Sequence, residues 1–219
     1  MIDTLLTPEL FLEALGETLY MLGIALFIGS ILGILLGIAV VVVRPGGVLP
    51  NRVVSFLLNA FINVVRSLPF IILLVAILPF TRLVMGTSIG VNGALVPLTI
   101  MVSPYIARLV ENSLLEVPEG IVEAAKSMGA TPVQIFTRFL LPEARGSLVL
   151  ALTTATIGLL DATAMAGTVG AGGIGDLAIS YGYQRFDAFT MLITVVTLVL
   201  IVQLIQLFGT RLARKLRRR

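Results

Sequence analysis

The stretch EAAKSMGATPVQIFTRFLLPEA, residues 123–144, puts four charged side chains, a glycine and two prolines into a chain that is 58% hydrophobic and 12% charged. It separates two long apolar runs, so what those runs are decides the fold. A soluble domain carries about 25% charged residues. With half that fraction and a mean hydropathy of +1.07, the sequence reads as an all-α integral membrane protein.

A run of about 20 apolar residues crosses a bilayer as a helix, because hydrocarbon offers no partner to an unpaired backbone group. Five such spans are expected, over residues 18–43, 55–80, 91–111, 146–166 and 187–208. The flank of the first carries Asp3, Glu9, Glu13 and Glu17 and no base, the opposite of a signal peptide's basic leader. With the N-terminus outside, Arg44, Arg52, Arg108, Lys126, Arg138, Arg145 and the six bases of RLARKLRRR (211–219) all lie inside. Only Arg82 and Arg185 fall outside, and Arg66 lies within a span. The positive-inside rule therefore gives an N-out, C-in topology, and places the 123–144 stretch in the cytoplasm.

Residue types narrow the chemistry. No cysteine or histidine is present, which removes thiol nucleophiles, disulfides, Cys/His zinc sites and Ser-His-Asp triads. The only lysines, Lys126 and Lys215, do not follow glycine, so no P-loop exists and any ATP is hydrolysed on another chain. The chain is expected to bind no cofactor itself. Its basic tail directly follows an apolar span and marks a cytoplasmic flank, not a nucleic-acid site.

The cytoplasmic stretch carries two helix signatures. Pro118 suits a first turn, Glu119 and Glu123 lie toward the positive end of the helix dipole, and Gly129 supplies a left-handed stop. Thr131 then caps a second helix, with Pro132 at its first position and Gln134 completing a capping box. Pro142 is expected to break or restart the chain before the fourth span. Such a hairpin either joins two spans at the membrane surface or docks a cytoplasmic partner; small Ala124 and Ala125 suit close approach by another backbone.

The same residues resemble the EAA loop of ABC-importer permeases: EAA, three residues, Gly, nine residues, then I-x-L-P. Glu123, Ala124, Ala125, Gly129, Leu141 and Pro142 match, and Phe139 stands where the family usually has Ile. VRSLPFIILL, LPFTRLVMGTSIG, VPLTIMVSPYIARLVENSLLEVPEG and AMAGTVGAGGIGDLAISYGY extend the resemblance over most of residues 14–210, toward the methionine-uptake branch. The resemblance implies a type I ABC-importer permease fold in a bacterial inner membrane, acting as one permease domain over 1–219. It implies a homodimer, two copies of a separate ATPase carrying ATP and magnesium, and an external methionine-binding lipoprotein. It also implies that the 118–142 loop couples to the ATPase through Glu123, Ala124, Ala125, Lys126, Met128, Gly129, Ala130, Thr131, Pro132 and Phe136. A permease for another amino acid or small solute is the alternative.

Other features carry weaker readings. Gly29, Gly33 and Gly37 form a small-xxx-small stripe for helix pairing. Asn59, Asn63 and Arg66 share one face of the second span; Arg66 is either a cytoplasmic anchor, bonded within the chain, or part of a wet path. Asp161, deep in the fourth span, either pairs with a base such as Arg66 or lines the path. Met165 is a candidate gate, since a thioether adapts to changing apolar gaps, although packing is the commoner fate of a membrane methionine. GAGGIG (170–175) fits GxGxxG, but no strand precedes it, so a flexible or re-entrant turn is expected instead of a dinucleotide site. The aromatics of YGYQRFDAF (181–189) suit a membrane interface or contact with an external partner. A secondary transporter would show inverted repeats and intramembrane coupling residues, and an intramembrane enzyme a Ser/Lys or carboxylate pair; neither pattern is evident.

Overall fold

The computed structural model describes residues 5–217, so Asp3 of the acidic flank and Arg218 and Arg219 of the basic tail lie outside the described residues. The described chain is helical: α1 (Pro8–Val43), α2 (Arg52–Ser67), α3 (Phe70–Ala76), α4 (Leu78–Met85), α5 (Gly90–Leu115), α6 (Glu119–Ser127), α7 (Pro132–Gln134), α8 (Leu141–Gly167), α9 (Gly173–Asp176) and α10 (Ala188–Arg217). Four helical runs are long and apolar enough to cross a membrane; α2 and α3, bent by 103° at a short break, add a fifth when the pair is taken as one span.

Two expectations about continuity are corrected. The second span, read as one rod over 55–80, ends at Ser67 and restarts at Phe70. Pro69 has no N–H to continue the ladder and disfavours helical geometry at Leu68; the Ser67 hydroxyl donates back to the Asn63 carbonyl at 2.7 Å. With seven residues, α3 is about 10 Å long, too short to cross alone. Conversely, Pro142 breaks nothing. Ile135–Leu140 widens into π-helical turns, where the Leu141 N–H reaches the Phe136 carbonyl five residues back. That widening relieves the clash a proline ring would make with the preceding turn, and Pro132–Gly167 runs as 36 helical residues.

The chain divides into two compact units. The first comprises Met1–Gly29, Leu68–Val102 and Thr156–Ile205; the second comprises Ser30–Ser67, Ser103–Ala155 and Gln206–Arg219. Among the described residues the first holds two bases, Arg82 and Arg185, against six acids, whereas the second holds eleven bases against five glutamates. By the positive-inside rule the second unit belongs to the cytoplasmic side.

The covered face of α1 is rich in small residues. Ala14, Thr18, Met21, Ala25, Gly29, Gly33, Gly37 and Val40 are buried at helical spacing, while Leu12, Leu19, Phe27 and Leu35 are exposed. Hydrocarbon solvates leucine well, so packing favours the small residues that let backbones meet. In the second unit, a Cβ at Gly33 would lie 2.6 Å from the Ser103 carbonyl oxygen, and one at Gly37 would lie 2.7 Å from that of Ala107. The glycine stripe thus pairs α1 with α5 of the same chain. Val40, Ile62 and Ala107, flanked by Leu36 and Leu58, complete this core.

In the first unit, Ala14, Ile174 and Leu177 are packed by Leu6, Leu10, Phe11, Leu15, Tyr181 and Leu198. The glycine turn enters α9, where the Gly173 N–H donates to Glu17 Oε2 at 2.6 Å and the Ile174 N–H to Thr18 Oγ1 at 2.8 Å. A helix N-terminus that invites an anion is filled by the chain's own carboxylate. The turn expected from GAGGIG is present, and it is pinned to α1.

Gly37→Leu should force α1 off α5 and destabilise the permease by about 1–3 kcal/mol, whereas Leu at Gly23, where an added Cβ meets nothing within 4 Å, should be near neutral. Thermal unfolding of the two variants in detergent distinguishes them.

Candidate functional site

The cytoplasmic hairpin is built from two local devices, both visible as residue patterns. Gly129 has φ +75°, and with that residue left-handed its N–H donates to the Lys126 carbonyl at 3.0 Å, while the Ala130 N–H reaches the Ala125 carbonyl at 3.0 Å. This is a Schellman closure of α6, and the positive φ explains why glycine stands there. One residue later the Gln134 N–H donates to Thr131 Oγ1 at 3.3 Å, and the Thr131 N–H donates to Gln134 Oε1 at 2.9 Å. The capping box thus starts α7 at once, with only Met128 to Thr131 between the two helices.

The hairpin has an inside and an outside. Ala125 is 0% exposed, and Ile135 and Leu140 are buried with it, because α6 packs on the π-helical turns. Glu123, Ala124, Lys126, Gly129, Thr131 and Pro132 are exposed, Ala130 and Phe136 half-buried. Met128 and Val133 stand 69% and 71% exposed on either side of Gly129. Of the ten residues singled out from sequence, nine therefore reach the surface, and Ala125 is the internal anchor. Large apolar side chains held out by a doubly capped turn form a preshaped contact surface.

Behind the hairpin the second unit is cross-tied by polar groups. Arg108 donates through Nη1 to Glu111 Oε2 at 2.5 Å, and through Nη2 to Asn59 Oδ1 at 3.1 Å and Asn63 Oδ1 at 2.9 Å. The guanidinium fork satisfies three acceptors on α2 and α5 at once. Sequence reasoning saw the Asn59, Asn63, Arg66 face but not its partner; the signal was the Arg108-x-x-Glu111 pair on the neighbouring span. Arg66 is exposed and, among the described residues, has no ion-pair partner. Ser147 Oγ donates to Glu116 Oε2 at 2.8 Å, joining the segment after α5 to α8.

The candidate path residues are separated differently. Asp161 and Met165 lie four residues apart on one exposed face of α8, with Met165 42% exposed. Asp161 is in no ion pair among the described residues, so the expected pairing with Arg66 is not formed. In the 181–189 segment, the Arg185 guanidinium lies 4.4 Å over the Tyr181 ring. Phe186, at φ +57°, is 88% exposed. Asp187, by contrast, is buried and accepts from the N–H groups of Leu5 at 2.8 Å and Thr190 at 3.0 Å.

Comparison with known proteins gives this arrangement a family. A probable D-methionine transport system permease protein of Vibrio cholerae is 48% identical over 211 residues, which is 96% of this chain and 94% of the relative. The D-methionine transport system permease protein of Escherichia coli K12 is 47% identical over 158 residues, 72% of this chain and 73% of the relative. A chain of the MetNI methionine ABC transporter, solved in inward-facing conformations, matches with a TM-score of 0.92 at 45% identity, covering 95% of this chain and 97% of that one. Residues 29–219 match the family described as the binding-protein-dependent transport system inner membrane component. The chain belongs to that family of bacterial inner-membrane transport subunits.

Proposed function

We propose that the chain is the membrane-spanning permease subunit of an ATP-driven methionine importer, with the type I ABC-importer fold. The single observation that carries the coupling role is the hairpin surface: Ala124, Met128 and Val133 are exposed around a Gly129 turn fixed by its own backbone bonds. Near-half identity over almost the full length to D-methionine permeases supports the substrate class.

The protein supplies no hydrolytic chemistry in this reading. A partner ATPase binds ATP and magnesium, and its two copies each take one hairpin. Since each chain offers one hairpin, two chains assemble around a shared path as a homodimer, with residues 1–219 acting as one permease domain. An external methionine-binding lipoprotein delivers the substrate. Closure of the ATPases moves the hairpins from Glu123 to Phe139; α8, reached from the hairpin without a helix break, carries the displacement into the membrane. Access then alternates by rigid-body motion. Asp161 and Met165, on one uncovered face of α8, line that path. A carboxylate at this depth is costly without a partner or water, and a wet path supplies water. Asn63 and Arg66 are the candidates for that path on α2.

Reconstituted with the ATPase and the external binding protein, Met128→Asp should cut methionine-stimulated uptake at least tenfold while the permease stays folded, because the charge would be desolvated on docking. Full uptake by that variant would refute the docking role. Asp161→Asn should lower uptake several-fold for L- and D-methionine alike, read as transport of each labelled enantiomer with unchanged complex assembly; unaltered transport removes Asp161 from the path.

A further inference from the structure

A cavity of about 310 Å³ in the second unit lies between α6, the ends of α1 and α5, and the loop after α1. Its wall carries two cations, Arg44 and Lys126, and two carboxylates, Glu119 and Glu123, beside apolar Val41 and Leu114. Among the described residues none of the four charges is in an ion pair. Arg44 Nε is buried and has no acceptor. A desolvated guanidinium N–H without an acceptor is a costly arrangement unless something fills it. We propose that this cavity binds the zwitterionic headgroup of a membrane phospholipid, a phosphodiester beside a primary ammonium, as in phosphatidylethanolamine.

The charges select the ligand class. A simple anion would meet Glu119 and Glu123, and a metal cation would meet Arg44 and Lys126; a zwitterion answers both pairs. The phosphodiester accepts from the Arg44 fork and Lys126, while the ammonium donates to the carboxylates. The volume sits at the lower end of ligand pockets, about 300–1,000 Å³. Two features favour a lipid over a free phosphorylated amine. Val41 and Leu114 belong to the cytoplasmic ends of two spans, at the level of the headgroups, where basic pockets meet lipid phosphates. Both side chains, 5% and 2% exposed, make the inner wall of the cavity apolar, as the carbons beside a headgroup require. Glu119 is exposed and lies outside the residues assigned to ATPase contact, so the cavity is reachable past it; Glu123 and Lys126 complete its charged wall. All three lie on α6, and a bound headgroup therefore braces the helix that leads into the hairpin turn. The lipid site is independent of which solute the permease carries.

Native mass spectrometry of the delipidated permease–ATPase complex, with phosphatidylethanolamine, phosphatidylcholine and phosphatidylglycerol of identical acyl chains, tests the proposal. Phosphatidylethanolamine should be retained at least fivefold over the other two, and Arg44→Gln or Glu119→Gln should abolish that preference without changing the assembly or its thermal midpoint. Equal retention of phosphatidylglycerol would refute the zwitterion, and equal retention of phosphatidylcholine would refute donation by the ammonium. Displacement of the lipid by millimolar soluble phosphoethanolamine would overturn the lipid as the source. Unchanged preference in both variants would overturn the site itself. If either variant fails to fold, the wild-type lipid series still decides.

Discussion

Backbone contact between helices at glycine is the constraint on which the second unit rests. In hydrocarbon, burying leucine against leucine gains little over leaving it in lipid, so helices hold together where small residues let many atoms touch and where polar groups find partners. Gly33 and Gly37 place α1 against the carbonyls of Ser103 and Ala107. Arg108, one residue on, then faces Asn59 and Asn63 of α2. The close packing fixes α5, and α5 fixes the arginine fork.

Polarity is spent sparingly, and each polar group does a local task. Glu17 and Thr18 take the leading amides of α9, which pins the glycine-rich turn to α1. Asp187 accepts at the start of α10 from the amide of Leu5 and from the amide and hydroxyl of Thr190. Thr131 and Gln134 do the same for α7. The hairpin differs from these in one respect: Met128 and Val133 stand exposed, while the larger Phe136 and Phe139 are half-buried. That surface is left for another molecule.

Legibility in the sequence followed the range of the interactions. The four long runs, the topology and both hairpin caps depend on hydropathy, charge counting and contacts within five residues, and each was readable from residues 118–142 and the spans alone. The break at Pro69 was missed because the apolar run continues on both sides of it, so hydropathy is blind to a lost backbone donor. Pro142 was misjudged for the converse reason: a widened turn upstream absorbs the proline, and nothing in IFTRFL announces it. The Glu17–Gly173 clamp joins residues 156 apart, and the Arg108 fork reaches back 45 and 49 residues. The cavity at Arg44 is likewise formed by residues far apart in sequence, from 41–48, 114–126 and Leu140. Such meetings are set by packing, which no local pattern encodes.

The central claim is that the Gly129 turn faces the cytoplasm and is covered by the ATPase. The chain contains no cysteine, so a single thiol introduced by Met128→Cys can be followed directly with a membrane-impermeant maleimide. Inside-out vesicles should be labelled and right-side-out ones not, with strong protection when the ATPase is bound. Labelling from the outside, or equal labelling with and without the ATPase, would contradict it.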